Sequence, residues 1–393
     1  MGLRVLITHP FLYEINGATN VALELAEYLQ NRGDKVTVYT NVFDYPIKQY
    51  FDEKKIHVDI ARKNPKYHLK DFDIVWINSQ TFPISLLEEL GNAEKAKNAP
   101  KFIFMHMSAQ DYCADEMPYI YQFEEKLSSL SLFVSEEALE FNKKFFEKMP
   151  PTDYYRNPAP EEYLIKRENL PKIPRKVLVV SNFPCGELRD IKPLLNQQGI
   201  IIDYLGYLGD RYELISEKII SKYDLVITIG KTVQYCLVSG TPVYIYGSFG
   251  GPGYLNAKNF QKAMRKNFSG RGFRDKTPEE IVEEIVNNYT KATSFYIERQ
   301  EDFQKDFIIS NNIPELFKKA QSVKTKNVIF SKAFIAATKS LLTLVTIDFE
   351  QWHNSFQKEA LIKENKNLND IVNSRSVRIW LKINRIIRRQ TLN

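Results

Sequence analysis

Residues 223–254 read YDLVITIGKTVQYCLVSGTPVYIYGSFGGPGY, and the order of apolar runs and breakers in this stretch decides the fold. Asp224 opens a short apolar run, LVITI, that stops at Gly230; a polar-started helical segment follows to Ser239-Gly240, and a second apolar run, PVYIYG, comes after it. That is strand, tight turn, helix, strand. Short apolar runs bounded by turn signals are how strands buried on both faces read, and the segment between them is about the shortest that can serve as a parallel crossover. The glycine turn then falls at the carboxyl end of a strand, where open α/β sheets take their ligands. The backbone N–H groups of Lys231, Thr232 and Val233 would begin the helix without intrahelical partners, and Lys231 adds a cation. An anionic group such as a phosphate is therefore the expected guest.

Outward from this stretch the pattern continues. VLVV at 177–180 reads as a strand, and Ser181-Asn182-Phe183-Pro184 as a polar turn at its end. Upstream of it, Pro150, Pro151, Pro158, Pro160, Pro171 and Pro174 deny helix and central strand, so 149–174 reads as the connection between two lobes. Downstream of PVYIYG, glycines cluster at 247, 250, 251 and 253. Such a loop brings backbone close to a ligand or closes over it, which makes Gly250, Gly251 and Gly253 candidate binding residues. Thr277 is placed to cap a proline-started helix with Glu279 and Glu280 in its first turn; Arg271 and Arg274 before it read as solvated loop residues.

The N-terminal part repeats the theme. RVLITH runs into the loop HPFLYEINGATN, then a helix of good period closed by Asn31-Arg32-Gly33, then KVTVYT. Further strands are expected at HVDI, IVWIN, KFIFMH and LFVS, and strands alternating with helices argue for a doubly wound parallel sheet. The first loop lacks GxGxxG and has Gly17 alone, which argues against a hydride-transfer enzyme. His106 ends KFIFMH at a ligand-facing strand end, where a neutral imidazole could accept a hydrogen bond from a bound ligand. His9 is a second, weaker candidate. Asp71-Phe72-Asp73 matches the D-x-D of metal-dependent transferases of another fold, but it leads IVWIN as Asp224 leads LVITI. An acid at the leading end of a buried strand lies opposite the ligand end, and no metal is expected.

The totals bound the function further. At 393 residues the chain suits two lobes plus an extra segment. Apolar residues at 44% and charged ones at 26% describe an ordinary globular protein. Lysine and arginine number 54 against 48 acids, and Arg375, Arg378, Lys382, Arg385, Arg388 and Arg389 account for the whole excess. With the rest of the chain balanced, a broad nucleic-acid-binding face is not expected. Cys113, Cys185 and Cys236 stand far apart without a CxxC pair, which favours neither a disulfide framework nor a zinc site and fits a reducing cytosol. The longest apolar stretch, AFIAATKSLLTLVT, is interrupted by Lys339 and too short to span a bilayer. SVRIWLKINRIIRR sets Val377, Ile379, Trp380, Leu381, Ile383, Ile386 and Ile387 against an arginine-rich side, the pattern of a basic amphipathic helix at an anionic membrane surface.

Gly230-Lys231-Thr232, the helix after them and Ser239-Gly240-Thr241-Pro242-Val243 resemble the donor-nucleotide half of the retaining, nucleotide-sugar-dependent GT-B glycosyltransferases of bacterial polysaccharide synthesis. The resemblance implies two Rossmann-like parallel-sheet domains facing a cleft, with a helical C-terminal extension: 1–160 on the acceptor side, 175–290 holding the donor nucleotide, and 291–393 the extension with its basic tail. It implies that Gly230, Lys231 and Thr232 cradle the donor diphosphate, that Asn16 and Gly17 bring backbone to it from the first lobe, that Ser181 and Asn182 add phosphate contacts, and that His106 faces the cleft. One position departs from the pattern: Tyr235, beside Gln234, stands where the family has a glutamate for the ribose hydroxyls. The implied reaction is metal-independent transfer of a sugar from a nucleotide-diphosphate donor to a glycan or lipid-linked glycan. No cofactor is expected beyond the donor substrate, and the expected location is cytoplasmic, peripheral on the inner face of the membrane through 374–389. The chain could form homo- or hetero-oligomers; a catalytically weak scaffold or partner subunit and a nucleotide-sugar epimerase are the alternatives on the same fold.

Overall fold

The computed structural model describes residues 2–97, 99–113, 116–167, 170–324 and 328–373. In the first lobe, β1 (Arg4–Leu12), β2 (Lys35–Phe43), β3 (Val58–Ile60), β4 (Ile74–Asn78), β5 (Lys101–His106), β6 (Ser128–Phe133) and β7 (Thr152–Tyr154) form a parallel sheet in the order β3-β2-β1-β4-β5-β6-β7. In the second, β8 (Lys176–Val180), β9 (Ile201–Leu205), β10 (Leu225–Thr228), β11 (Val243–Gly247) and β12 (Gly250–Tyr254) are ordered β12-β11-β10-β8-β9, with only the pairing of β11 and β12 antiparallel. Each sheet reverses its winding once, between β1 and β4 and between β8 and β10, and leaves a crevice there at the strands' carboxyl ends.

The helices are α1 (Gly17–Asn31), α2 (Ile47–Glu53), α3 (Ile84–Glu89), α4 (Ala93–Ala96), α5 (Tyr121–Leu127), α6 (Glu136–Lys143), α7 (Gly186–Gln197), α8 (Glu217–Ile220), α9 (Lys231–Ser239), α10 (Phe260–Met264), α11 (Pro278–Glu298), α12 (Gln300–Phe307), α13 (Ile309–Ser322) and α14 (Lys332–Asn373). Thr277 caps α11 in a reciprocal capping box with Glu280. Asp73 accepts the Arg4 N–H at 2.8 Å and pairs with its guanidinium, and Asp224 accepts the N–H groups of Arg175 and Lys176 at 2.8 and 2.9 Å. Each aspartate thus ties down the leading end of neighbouring strands, the part expected of an acid at that place. β6 differs from expectation: it begins at Ser128 and ends at Phe133, where LFVS is the expected run. Its serines stay in the core because Ser131 and Ser128 share a hydrogen bond and Ser131 donates to Glu124. The proline-rich connection also contributes β7 to the first sheet before it crosses.

The chain crosses between lobes twice, at 155–160 and at 307–309, and the two passages bond to each other: the Ala159 N–H donates to Phe307 O, and the Ile309 N–H to Ala159 O. Tyr289, Tyr296, Phe303 and Phe307 of α11 and α12 belong to the second lobe's core. Ile309, Ile313, Leu316 and Phe317 of α13 complete the first. The segment from 291, expected as an outlying extension, therefore supplies core residues to both lobes as far as 322. Phe330, Ile335 and Leu342 pack beside Phe123 in the first lobe. Among the described residues, those up to 342 form one compact unit, and the helix from 343 to Asn373 belongs to another. No helix among the described residues is long and apolar enough to cross a membrane. The basic segment 374–389 lies outside the described residues.

Candidate active site

The two crevices open onto one cleft of about 410 Å³. Ile15, Asn16, Gly17 and Asn20 line it from the first lobe; Ser181, Asn182, Thr228, Lys231, Thr232 and Ser248, from three strand ends of the second, form the opposite wall. Thr228 donates to Val180 O at 3.0 Å and holds β8 and β10 together at their reversal point. Beyond it, Gly230 takes φ +62° and ψ −135°, which lets the chain turn sharply into α9 with no side-chain cap over the first N–H groups. Across the cleft α1 begins at Gly17, after Asn16 and Thr19 close a capping box. The helix starts nearly touch: a Cβ on Gly17 would lie 3.5 Å from Lys231 Cβ. Two positive helix ends, one from each lobe, converge on the same space.

The walls beside this point are fixed by bonds across the lobe boundary. The Ile15 N–H donates to the Tyr212 hydroxyl at 2.9 Å, and Asn182 Nδ2 donates to Ile15 O at 2.9 Å. Asn182 Oδ1 also accepts the Tyr207 N–H at 3.2 Å, so one side chain joins three loops. Gly206 is required there, since a Cβ would sit 2.0 Å from Ser181 O. Phe183, 66% exposed, lies 5.9 Å from the Tyr207 ring, and with Tyr212, Leu205 and Ile215 it makes the β9 side of the cleft apolar. Asn20 is buried in the cleft wall with Oδ1 unpartnered. Asn20, Phe183 and Tyr212 were not singled out as binding residues in the sequence; only the fold brings them beside the glycine turn.

Lys231 departs from its expected role. Its side chain is turned away from the open cleft and buried, donating to Pro158 O at 2.6 Å and Asn157 O at 3.2 Å and ion-paired with Glu24 Oε2 of α1 at 2.6 Å. Burial pushes the Lys231 ammonium pKa down and the Glu24 carboxyl pKa up, and each charge opposes the shift in the other. Tyr235 donates its hydroxyl to Glu24, stacks on Tyr163 with ring centroids 4.2 Å apart, and is fully buried. It is part of the seam between lobes and does not line the cleft. Glu213 is the other charged lining residue, and Arg211 bonds it at 2.8 Å.

His106 is a core residue and not a cleft residue. Its Nε2 lies 2.8 Å from Glu124 Oε1, its ring stacks on Phe133, and Glu124 also accepts from Ser131 at 2.6 Å and Gln80 at 2.8 Å. The cause is α5, which lays Glu124 over the end of β5. Gly250, Gly251 and Gly253 likewise serve their own lobe. They form the edge strand β12, and a Cβ on them would meet Arg274 O at 2.5 Å, Ile245 O at 2.0 Å and Glu284 Oε2 at 2.7 Å. Arg274 is the exposed loop residue expected, paired with Glu280 at the surface, whereas Arg271 is half-buried and bonded to Glu137. The residues that do meet on the cleft are Asn16, Gly17, Ser181, Asn182, Lys231 and Thr232, the last two through the start of α9, with Gly230 shaping the turn beneath them.

No protein-family model matches the chain, and no curated protein matches its sequence. Solved structures do match its fold. Anabaena HepE, determined with UDP and glucose, aligns over 81% of this chain and 100% of its own with a TM-score of 0.53 at 12% identity. An alpha-glucosyltransferase determined with UDP aligns over 82% and 100%, with a TM-score of 0.51 and 12% identity. Two α/β lobes whose sheets reverse winding at a shared cleft, spanned over four-fifths of the chain by these glycosyltransferase structures, establish that the chain has the GT-B fold.

Proposed function

We propose that the chain is a glycosyltransferase that moves a sugar from a nucleotide-diphosphate donor to a glycan or lipid-linked glycan acceptor without a metal. The observation that carries this reading is the meeting of the α1 and α9 starts, from opposite lobes, inside one cleft. A diphosphate there would accept from the first N–H groups of α9 and α1 and gain from both helix dipoles, each worth up to about 2 kcal/mol in a partly buried setting. The same donors would stabilise the charge that builds on the departing diphosphate. Asn20 Oδ1 offers an acceptor to a ribose or sugar hydroxyl. Phe183 and Tyr212 offer the aromatic surface a nucleobase needs. The fold shared with two UDP-bound structures supports the choice of ligand class.

The test is calorimetric titration of the full chain with UDP, GDP, dTDP and their sugars. Saturable binding of one donor type is expected, abolished by Gly17→Trp, which fills the cleft from the first lobe. Phe183→Ala should weaken the nucleotide about tenfold while leaving inorganic diphosphate unaffected and folding intact. Silence toward every donor would turn the reading to a scaffold subunit, which the engagement of Lys231 by Glu24 also favours. The basic segment 374–389 is read as a contact with anionic membrane at the cytoplasmic face, where the acceptor would be presented.

A further inference from the structure

Glu24 belongs to the first lobe, seven residues into α1 from Gly17, yet both its oxygens are engaged by α9 of the second, Oε1 by Tyr235 and Oε2 by Lys231. Lys231 is the first residue of α9. A lysine at that place puts a full cation beside two positive helix ends, which on their own repel it. The whole arrangement is buried, and the side chains of Lys231 and Glu24 are only 4% and 12% exposed. Solvent therefore screens the charges poorly, and whatever balances Lys231 also sets the potential felt in the cleft.

Resting on the reading of the cleft as a diphosphate site, we propose that Glu24 is a built-in counter-anion for that site. It neutralises Lys231 from across the lobe boundary, so that the bound diphosphate is held by helix ends alone and the product is released readily. The pairing offsets the Lys231 charge at the anion site when it is empty. A ligand carrying negative charge then meets fixed dipoles instead of a free ammonium. Glu24 is thus an affinity-setting residue that acts through Lys231, and its carboxylate needs no contact with substrate.

The proposal makes the order of affinities follow the charge left beside the α9 start. Glu24→Gln, which keeps shape and leaves Lys231 unbalanced, should bind UDP and inorganic diphosphate about tenfold tighter than wild type. Lys231→Met, which strands the Glu24 carboxylate, should bind about tenfold more weakly, and the double variant should return to within about threefold of wild type. In the full chain with an acceptor supplied, Glu24→Gln should also lower kcat, because product leaves more slowly, while KM falls. A purely structural Glu24 predicts the opposite sign, weaker binding in Glu24→Gln. Weaker or unchanged binding in that variant, folded by circular dichroism, overturns the proposal. If Glu24→Gln does not fold, the comparison of the double variant with Lys231→Met decides: tighter binding in the double supports the counter-anion, and equal or weaker binding overturns it. Failure of the wild-type chain to bind either probe would instead strike at the proposed function.

Discussion

His106 and His9 show how a histidine at a strand's carboxyl end can belong to the core. His106 is enclosed by Glu124, Ser131 and Phe133, so His106→Ala leaves Glu124 buried without its imidazole partner. The expected outcome is a loss of about 2–4 kcal/mol in denaturant unfolding with unchanged nucleotide affinity in the folded protein. A histidine at the reacting centre would show the reverse. His9 is fully buried with Nδ1 2.7 Å from Phe11 O, and burial pushes its pKa down to about 4. Its ordinary value lies near 6.5, so as pH falls the unfolded chain takes up a proton first. The stability that neutral His9 contributes is complete above about pH 6.5 and is lost on the way down to about 4, on the order of 3 kcal/mol. Unfolding of wild type and His9→Gln, followed from pH 7 to 4, should show the wild type losing that much more. Parallel curves would contradict the assignment. The environment of His106 could not be read locally, because Glu124 reaches its ring only through tertiary packing; Phe11 O lies two residues from His9, but the burial of that ring is set by the fold.

At the scale of elements, the proposed anion site depends on the turn at Gly230 and the start of α9. The Gly230 φ of +62° and ψ of −135° suit glycine alone, and a Cβ there would meet nothing within 4 Å, so the cost of Gly230→Ala is backbone strain without a clash. Relief requires the turn to open, which re-aims the Lys231 and Thr232 N–H groups and weakens the bond from the Gly230 N–H to Phe268 O. About 1–3 kcal/mol of stability should be lost, together with about a tenfold fall in affinity for UDP and for inorganic diphosphate alike; calorimetry and denaturation on one preparation would check both. Strand, turn and helix were legible here because the apolar period and the glycines are local. β12 was not: GSFGGPGY carries the composition of a loop, and it becomes a strand because β11 offers an edge and 274–276 pack against glycines that have no Cβ to obstruct them.

For the whole molecule, the division at residue 342 predicts that a chain ending there folds, since both cores and both lobe crossings are complete by then. Its melting temperature should stay within about 4 °C of the full chain, with nucleotide affinity unchanged. In flotation with anionic liposomes the full chain should rise, and deletion of 374–393 should leave it at the bottom; equal flotation of both would dismiss the membrane contact. The sequence by itself determined two lobes of alternating strand and helix, the glycine turn at a strand end, and the caps and leading aspartates of several elements, because each rests on interactions spanning a few residues or on the period of one element. Only the tertiary structure decided which polar groups face the cleft and which are used up in the seam. Lys231 meets Glu24 across 207 positions of chain, Asn182 reaches Ile15 across 167, and α13 returns to a core begun some 300 residues earlier. Partnerships at such separation depend on how two folded lobes come to rest on each other, and no local pattern encodes that.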